Sequence, residues 1–382
     1  MTLSFACTAC EHTTPINLHT SRCPDCAAPL NFSESIPFAA STFQDSLDDA
    51  ARGVWRYRRL LPIAPDVTPI TLGEGATPIV DLPRWGAANG LRRLQAKLEQ
   101  LSPTGSFKDR GATLLFTALA AAGVRGVIED SSGNAGAAAA AYAARAGIAA
   151  RIFVPESAPP AKIAQIASYG AKIILIAGSR QDVTVAAEAS INDDGVHASH
   201  NRSPYFLAGL KTFAYELVEQ LRMRLPTHIV FPVGNGGLLL GAAQGIADLA
   251  RLASLERMPH LHAAQAANCA PIVHRHQHGS SASGPEIRPT IAGGVAVTDP
   301  PRITEILAAL RMSEGTAIAV TEERIRESTE SLARHEGLYV EPTSAVAFAA
   351  AIQLRRDGII GADDTILIPV TGSGLKDPLT SA

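Results

Sequence analysis

The sequence predicts an α/β fold in which mainly parallel β-sheets are flanked by helices, preceded by a small cysteine-rich unit. From about residue 71, short segments rich in Val and Ile alternate with longer segments rich in Ala and Leu. Such alternation is typical of strand–helix–strand units, whose strands are parallel and whose ligands bind at the carboxyl ends of the strands. Four cysteines in two Cys-x-x-Cys pairs lie near the N-terminus.

Composition limits the class of protein. The chain has 382 residues, of which 46% are hydrophobic and 18% charged, a balance typical of a globular protein with two or three folding units. The net charge of −3 gives no sign of nucleic acid or an anionic membrane as partner, because both need clustered Lys and Arg. No apolar stretch reaches membrane-spanning length, and the first residues lack a signal-peptide pattern. We therefore expect a cytoplasmic protein.

Residues 1–35 are predicted to form a zinc ribbon. The spacing C-x2-C-x12-C-x2-C joins Cys7, Cys10, Cys23 and Cys26. Two such turns place four thiolates around one ion, as in structural zinc sites that have no open coordination position. The alternatives are four unrelated cysteines or a redox pair, although no thioredoxin-like strand–helix–strand context surrounds either pair.

Two further regions follow the ribbon. Residues 36–70 are predicted to be a connector, with a helix at 45–61 and then an extended path imposed by Pro62, Pro65 and Pro69. Residues 71–382 carry the alternating pattern. Its predicted strands lie at 125–129, 150–154, 171–176, 228–233, 316–320 and 365–370, and its predicted helices include 135–146, 161–169, 212–221 and 238–252.

A turn at 103–111 carries Lys108 just before a predicted apolar helix at 112–122. The helix dipole disfavours a positive charge at that end, which eases the deprotonation that a Schiff-base lysine needs. An exposed lysine beside Asp109 and Arg110 is the alternative, and this segment alone does not decide between them.

Three more turns end predicted strands. Asn134 lies in a Ser/Gly turn that admits a planar ligand, or is an ordinary helix cap. The turn at 234–238 presents successive backbone N–H groups to an anion such as phosphate, or is a tight connection. Thr371 offers a neutral hydroxyl to a ring nitrogen, or belongs to a simple glycine-containing turn.

Together and in this order, these turns resemble those of threonine synthase and related pyridoxal phosphate (PLP) enzymes of the tryptophan synthase β fold type. The resemblance covers about residues 50–380 and extends to the zinc-ribbon segment of some members. It rests on the motifs Gly73-Glu74-Gly75-Ala76-Thr77-Pro78, Lys97-Leu98-Glu99, the Lys108 turn, Ser132-Gly133-Asn134, Gly209-Leu210-Lys211-Thr212, the Gly234 turn, Glu341-Pro342-Thr343-Ser344-Ala345 and Thr371-Gly372-Ser373-Gly374-Leu375-Lys376-Asp377.

The resemblance implies a two-lobed PLP-binding fold, with a smaller lobe at about 110–210 inserted in a larger one, and a homodimer. It implies that Lys108 carries PLP as a Schiff base and that Phe107 lies beside the cofactor ring. Asn134 would bind the phenolic oxygen and Thr371 would face the pyridine nitrogen. The cofactor phosphate would be held by the backbone N–H groups of Gly234, Asn235, Gly236, Gly237 and Leu238.

The implied reaction converts O-phospho-L-homoserine and water to L-threonine and phosphate, with an amino acid as the small-molecule substrate. Thr77, Ser131 and Ser132 would lie near the substrate carboxylate, and Asn201 and Arg202 near its phosphate.

Residues 200–209, residues 290–297 and Ser373 depart from the threonine synthase pattern. They leave open a serine or threonine ammonia-lyase and a β-replacement enzyme similar to cysteate synthase. A non-catalytic metabolite-binding protein is the alternative from another class. The joint presence of Lys108, Asn134 and Thr371 favours an enzyme.

Overall fold

In a computed structural model, the described residues (3–34, 42–158, 160–191, 195–252, 255, 257–279 and 284–379) form one antiparallel sheet and two larger sheets flanked by helices. This arrangement confirms the predicted α/β class. The expected boundary between ribbon and connector, at residues 35 and 36, lies outside the described residues.

The strands are β1 (Ser4–Cys7), β2 (Thr13–Pro15), β3 (Leu30–Phe32), β4 (Ile79–Asp81), β5 (Arg93–Lys97), β6 (Gly126–Glu129), β7 (Ala149–Pro155), β8 (Lys172–Ile176), β9 (Val196–His197), β10 (His228–Pro232), β11 (His260–Ala266), β12 (Ala317–Val320) and β13 (Thr365–Pro369). The helices are α1 (Pro83–Ala88), α2 (Lys108–Ala121), α3 (Asn134–Ala146), α4 (Pro160–Ser168), α5 (Arg180–Ala189), α6 (Pro204–Leu210), α7 (Thr212–Gln220), α8 (Gly237–Leu252), α9 (Pro271–His278), α10 (Ile303–Met312), α11 (Glu322–Glu336) and α12 (Pro342–Arg356).

Two mainly parallel sheets position the functional turns. The large sheet has the order β12-β11-β10-β13-β5-β4, with only β4 antiparallel to its neighbour among these strands. The small sheet has the order β8-β7-β6-β9 and is parallel throughout. Helices α8, α10 and α12 pack on the large sheet, and α3 and α5 pack on the small one. Helices lie between successive strands of each parallel sheet, because parallel pairing needs long crossover connections.

The predicted strands and helices of 71–382 recur with shifts of a few residues, but several strands were not predicted. The strand β11, with the sequence HLHAAQA, has few of the β-branched residues that favour strands. It lies between β10 and β12, and its last six residues are buried. Packing against both neighbours therefore determines this strand more than intrinsic propensity does.

The segment 45–61, which the sequence predicts to be helical, is not one continuous α-helix. The segment forms two 3₁₀ helices, Gln44–Ser46 and Gly53–Leu60. Gly53 has a φ of +59°, and a Cβ atom there would lie 2.0 Å from the Glu74 carbonyl oxygen. A left-handed glycine pressed against another backbone segment is incompatible with one uninterrupted α-helix.

The N-terminal sheet docks on the rest of the chain through Arg302, at the start of α10. Its guanidinium donates to the Leu30 carbonyl over 2.9 Å and to the Asn31 side chain over 2.9 Å. It also donates to the carbonyl of Asn201 over 3.0 Å. Phe32 packs edge-on against Tyr205 of α6, with 4.9 Å between ring centroids. The cysteine-rich unit thus rests on the segment that leads into α6.

A buried ion network anchors α2 behind the cavity described below. Arg110 donates to Glu99 over 2.7 Å and to Glu216 over 2.9 Å. Lys97 donates to Glu216 over 2.6 Å. Because all four side chains are almost completely buried, the stability of each charge depends on its ion-pair partners.

Within the described part of the chain, no helix is both long enough and apolar enough to cross a bilayer.

Candidate functional site

A cavity of about 710 Å³ lies where the turns after β6, β10 and β13 meet the start of α2. Lys108, Asn134, Thr371 and residues 234–238 all line it, as do Phe107, Ser131 and Ser132. The four turns that the sequence singled out lie far apart along the chain, yet they face one space.

The turn that carries Lys108 is tied to the turn after β13. The Phe107 N–H donates to the Thr371 carbonyl over 3.1 Å. The Lys376 ammonium donates to the Thr104 carbonyl over 2.8 Å, and the Thr104 N–H donates to Asp109 over 2.7 Å. These contacts fix the backbone on both sides of Lys108.

Lys108 is the first residue of α2, and its Nζ lies 4.7 Å from the centroid of the Phe107 ring. Desolvation in the cavity lowers the pKa of Lys108 to about 8. The carboxylates of Glu129 and Glu341 oppose this shift, whereas Arg180 adds to it. A large fraction of the amine is thus unprotonated at mildly alkaline pH, as a nucleophile or base requires.

The turn at 234–238 leads from β10 into α8. Gly236 has a φ of +76°, and a Cβ atom there would lie 2.3 Å from Ile306. A Cβ atom on Gly234 would lie 2.6 Å from the Gly294 carbonyl oxygen. The chain therefore needs glycine at both positions. Because α8 begins at Gly237, the N–H groups of its first turn lack intrahelical acceptors and are suited to bind an anion in the cavity.

Glu341 links Asn134 to Thr371. The Asn134 side-chain N–H donates to Glu341 Oε2 over 3.0 Å, and the Thr371 hydroxyl lies 3.5 Å from Glu341 Oε1. Ser344 Oγ lies 3.0 Å from the Thr371 hydroxyl. Burial raises the pKa of Glu341. The sequence carries a family motif at 341–345 but predicts no role for its glutamate. A carboxylate directly before an apolar helix was the available signal.

The residues present fit PLP. The cofactor carries a phosphate, an aldehyde, a phenolic oxygen and a ring nitrogen, and the cavity offers a chemically matched donor or acceptor for each. The Asn134 amide nitrogen contacts both Glu341 carboxylate oxygens, over 3.3 and 3.0 Å, and the residue lines the cavity, where an amide donor suits a ligand oxygen. The glycine-rich turn matches a phosphate, and the Lys108 amine matches an aldehyde.

The predicted substrate residues divide into two groups. Ser131 and Ser132 line the cavity, but Thr77, Asn201 and Arg202 do not. Thr77 donates to Glu99 over 2.8 Å in the buried ion network. Arg202 donates to Glu188 of α5 over 2.6 Å. The Thr77 and Arg202 side chains are therefore held by carboxylates that do not line the cavity, although both residues belong to motifs close to it in the sequence.

Arg180 and His200 also line the cavity, and the sequence predicted a site role for neither. Arg180 starts α5, and His200 precedes α6. His200 Nδ1 lies 2.6 Å from Glu129, and its Nε2 lies 3.4 Å from the Asn235 side chain. The signal for His200 was its place in the departing segment 200–209, directly before Asn201 and Arg202, which the resemblance places near the substrate phosphate.

The four N-terminal cysteines form a compact cluster. The sulfur–sulfur distances are 3.4 Å for Cys7–Cys26, 3.7 Å for Cys10–Cys23 and 3.6 Å for Cys10–Cys26. Four thiolates at about 2.3 Å from a tetrahedral zinc ion lie about 3.8 Å apart. The cluster therefore has the ligand set and nearly the dimensions of a structural zinc site.

The fold and the cavity together define a pyridoxal-phosphate-dependent enzyme of the α/β class. The chain belongs to the family described as "Pyridoxal-phosphate dependent enzyme", whose model matches residues 70–372.

Curated relatives include the threonine synthase of Methanosarcina acetivorans, 36% identical over 88% of this chain and 83% of that protein. The threonine synthase of Mycobacterium bovis is 36% identical over 85% of this chain and 88% of that protein. Among solved structures, maize serine racemase has a TM-score of 0.67 at 26% identity, over 78% of this chain and 88% of that chain. A threonine deaminase from T.th. has a TM-score of 0.64 at 26% identity, over 80% of this chain and 94% of that chain.

Proposed function

We propose that the protein is a PLP-dependent lyase of the threonine synthase type, converting O-phospho-L-homoserine and water to L-threonine and phosphate. The observation that carries the proposal is the convergence of Lys108, Asn134, the 234–238 turn and Thr371 on one cavity. The relatives that share 36% of their residues with this chain over most of its length, and that are named threonine synthase, support the substrate.

In this proposal, Lys108 attaches the cofactor, with Phe107 beside the ring. The N–H groups of Gly234, Asn235, Gly236, Gly237 and Leu238 hold the cofactor phosphate. Bound PLP supplies an electron sink that stabilises negative charge at the substrate α-carbon.

Two polar side chains orient the ring. The Asn134 amide donates to the phenolic oxygen, and Thr371 presents a neutral hydroxyl to the ring nitrogen. A neutral partner leaves that nitrogen largely unprotonated, which tunes how strongly the ring withdraws electrons. As a free amine, with its pKa lowered to about 8, Lys108 removes the proton from the α-carbon and returns it in later steps.

The substrate meets the remaining polar groups of the cavity. Ser131 and Ser132, just before α3, serve its carboxylate through hydroxyl and backbone donors. Arg180 lines the same cavity and is suited to the departing phosphate, because a guanidinium binds phosphate oxygens in pairs. We assign the substrate phosphate to Arg180 rather than to Asn201 or Arg202, which do not line the cavity.

The decisive experiment incubates the purified, PLP-loaded protein with O-phospho-L-homoserine and measures phosphate and threonine. Equal amounts of both products support the proposal. Parallel incubations with L-threonine and L-serine test the ammonia-lyase alternative, which the likeness to a threonine deaminase favours. If keto acid and ammonia form from L-threonine or L-serine and phosphohomoserine is not turned over, the protein is an ammonia-lyase and the threonine synthase proposal is wrong.

The non-catalytic alternative makes a different prediction. A metabolite-binding protein would stay colourless after incubation with PLP and would turn over none of the three substrates. A visible chromophore that forms with PLP and depends on Lys108 contradicts that alternative.

We further propose that the cysteine cluster binds one structural zinc ion and that the protein is a cytoplasmic homodimer. The sulfur–sulfur distances of 3.4, 3.6 and 3.7 Å support the zinc site. One zinc per chain, lost in Cys10→Ser, is the expected metal content. Sedimentation at a dimer mass tests the assembly, and a monomer at micromolar concentration would contradict it.

A further inference from the structure

Behind His200, three side chains at the carboxyl ends of β6 and β9 point to a common centre. They are Glu129, Asp130 and His197, and one potential ligand atom of each lies within 4.8 Å of the others. Exposure of these side chains is 5% or less. His197 Nε2 and Asp130 Oδ1 are 3.6 Å apart, too far for a strong hydrogen bond. Two carboxylates and an imidazole are thus enclosed together.

In Glu129 and in Asp130, one carboxylate oxygen has a hydrogen-bond partner and the other has none. Glu129 Oε1 lies 2.6 Å from His200 Nδ1, and Asp130 Oδ2 accepts from the Thr184 hydroxyl over 2.6 Å. Glu129 Oε2, Asp130 Oδ1 and both ring nitrogens of His197 have no hydrogen-bond partner among the described residues. Buried polar atoms without partners are rare in proteins, and a bound ion is one recognised explanation for them.

Protonation alone does not satisfy these atoms. A proton on Glu129 Oε2 needs an acceptor within hydrogen-bond distance, and the described residues supply none. A protonated His197 offsets one carboxylate but leaves its own N–H groups unpaired. A divalent cation neutralises the charge of both carboxylates and coordinates the oxygen and nitrogen atoms that have no hydrogen-bond partner. The hydrogen bonds from His200 and Thr184 orient the other oxygens as outer partners commonly do around metal ligands.

We propose that Glu129, Asp130 and His197 bind a divalent transition-metal cation, and that this ion holds Glu129, and through it His200, in place at the wall of the cavity. Mixed carboxylate and imidazole ligands suit ions such as Mn²⁺ or Zn²⁺. This site is separate from the cysteine cluster, which has only thiolate ligands. The ion is a positioning element here, because His200 lines the cavity whereas the three ligands do not.

Manganese distinguishes the two metal sites, because carboxylates suit Mn²⁺ whereas thiolates select zinc. The full-length PLP-loaded protein is dialysed against EDTA and titrated with MnCl₂, and free Mn²⁺ is followed by electron paramagnetic resonance. We expect one bound Mn²⁺ per chain in the wild type and in Cys10→Ser. Asp130→Asn and His197→Gln should each weaken binding at least tenfold. A matched control is His262→Gln, which alters a buried histidine of β11 and should bind Mn²⁺ like the wild type.

Thermal unfolding covers the possibility that a variant folds poorly. MnCl₂ should raise the midpoint of the wild type and of His262→Gln, because a ligand that binds only the folded state stabilises it, and should leave that of Asp130→Asn unchanged. Unchanged Mn²⁺ binding in Asp130→Asn, or no binding by the wild type, overturns the proposal. Neither Mn²⁺ binding nor the thermal midpoint depends on turnover. A negative result for the metal site is therefore distinguishable from a negative result for the proposed activity.

Discussion

The Asn134 side-chain amide donates to Oε2 of Glu341 over 3.0 Å, joining the turn after β6 to the start of α12 across the cavity. The contact connects the small sheet to the helix that packs on the large one, and it orients the amide that is proposed to bind PLP. Glu341 also lies beside Thr371, so one carboxylate positions two proposed cofactor contacts.

Glu341→Ala should weaken PLP binding about tenfold, because a lost hydrogen bond to a charged acceptor costs roughly 1.5–3 kcal/mol and only part of it reaches the cofactor. Glu341→Gln keeps an oxygen acceptor for Asn134 and should weaken binding less. Spectroscopic titration of the apoprotein with PLP measures the affinity of both variants for the cofactor. Equal affinities for wild type and Glu341→Ala would show that Asn134 needs no such support.

Lys108→Ala should abolish the visible chromophore of bound PLP and lower turnover by a factor of roughly 1,000 or more, since the residue both attaches the cofactor and moves the α-proton. Lys162→Ala is the control, because Lys162 also lines the cavity but pairs with Asp377 over 2.7 Å. Absorbance spectra and phosphate release are the measurements. A chromophore that survives in Lys108→Ala would place the attachment elsewhere.

The rate at which the apoprotein forms its Schiff base with PLP should rise with pH and level off above about pH 8. Only the unprotonated amine attacks an aldehyde, and the pKa of Lys108 is lowered to about 8. An ordinary lysine would continue to gain rate up to about pH 10. Because Arg180 contributes to the lowered pKa, Arg180→Ala should move the midpoint upward. A wild-type midpoint near pH 10 would contradict the desolvation argument.

Arg180→Ala should raise KM for O-phospho-L-homoserine at least tenfold while the affinity for PLP changes little, because the guanidinium is assigned to the substrate phosphate rather than the cofactor. Arg180→Lys should recover part of the loss, since it keeps the charge but not the paired geometry. Arg202→Ala is the matched control, because that side chain pairs with Glu188 instead. If only Arg202→Ala raises KM, the substrate phosphate binds at Arg202 and the assignment to Arg180 is wrong.

Glu216→Ala should lower the free energy of unfolding by about 3–5 kcal/mol, because it leaves the buried charges of Lys97 and Arg110 without their shared partner. Glu330→Ala removes an exposed i,i+4 pair with Arg334 and should change the free energy by less than about 1 kcal/mol. Urea unfolding followed by circular dichroism compares them. Similar losses for both variants would mean that the buried network adds little stability.

Local patterns in the chain were enough to predict the α/β class, the turns that end strands and the helix start near Lys108. Each depends on residues a few positions apart: hydrophobic periodicity, glycine where φ is positive, and small residues before a helix. The strand β11 escaped prediction because its pairing with β10 and β12, rather than its own residues, makes it a strand.

The membership of the site was harder to predict. The sequence suggested that Thr77, Asn201 and Arg202 meet the substrate, but their partners are Glu99, Ser199 and Glu188. It suggested no role for Glu341, Arg180 or His200, whose side chains line the cavity. Whether a polar side chain faces the cavity or a distant carboxylate depends on which elements pack together.

The sequence by itself determined that four turns of the right chemistry exist, because turn chemistry is set by neighbouring residues. Only the tertiary structure decided that Lys108, Asn134, residues 234–238 and Thr371 share one cavity, with Glu341 between two of them. The physical reason is that this convergence arises from strand pairing and helix packing between segments far apart in the chain, and no local pattern encodes those contacts.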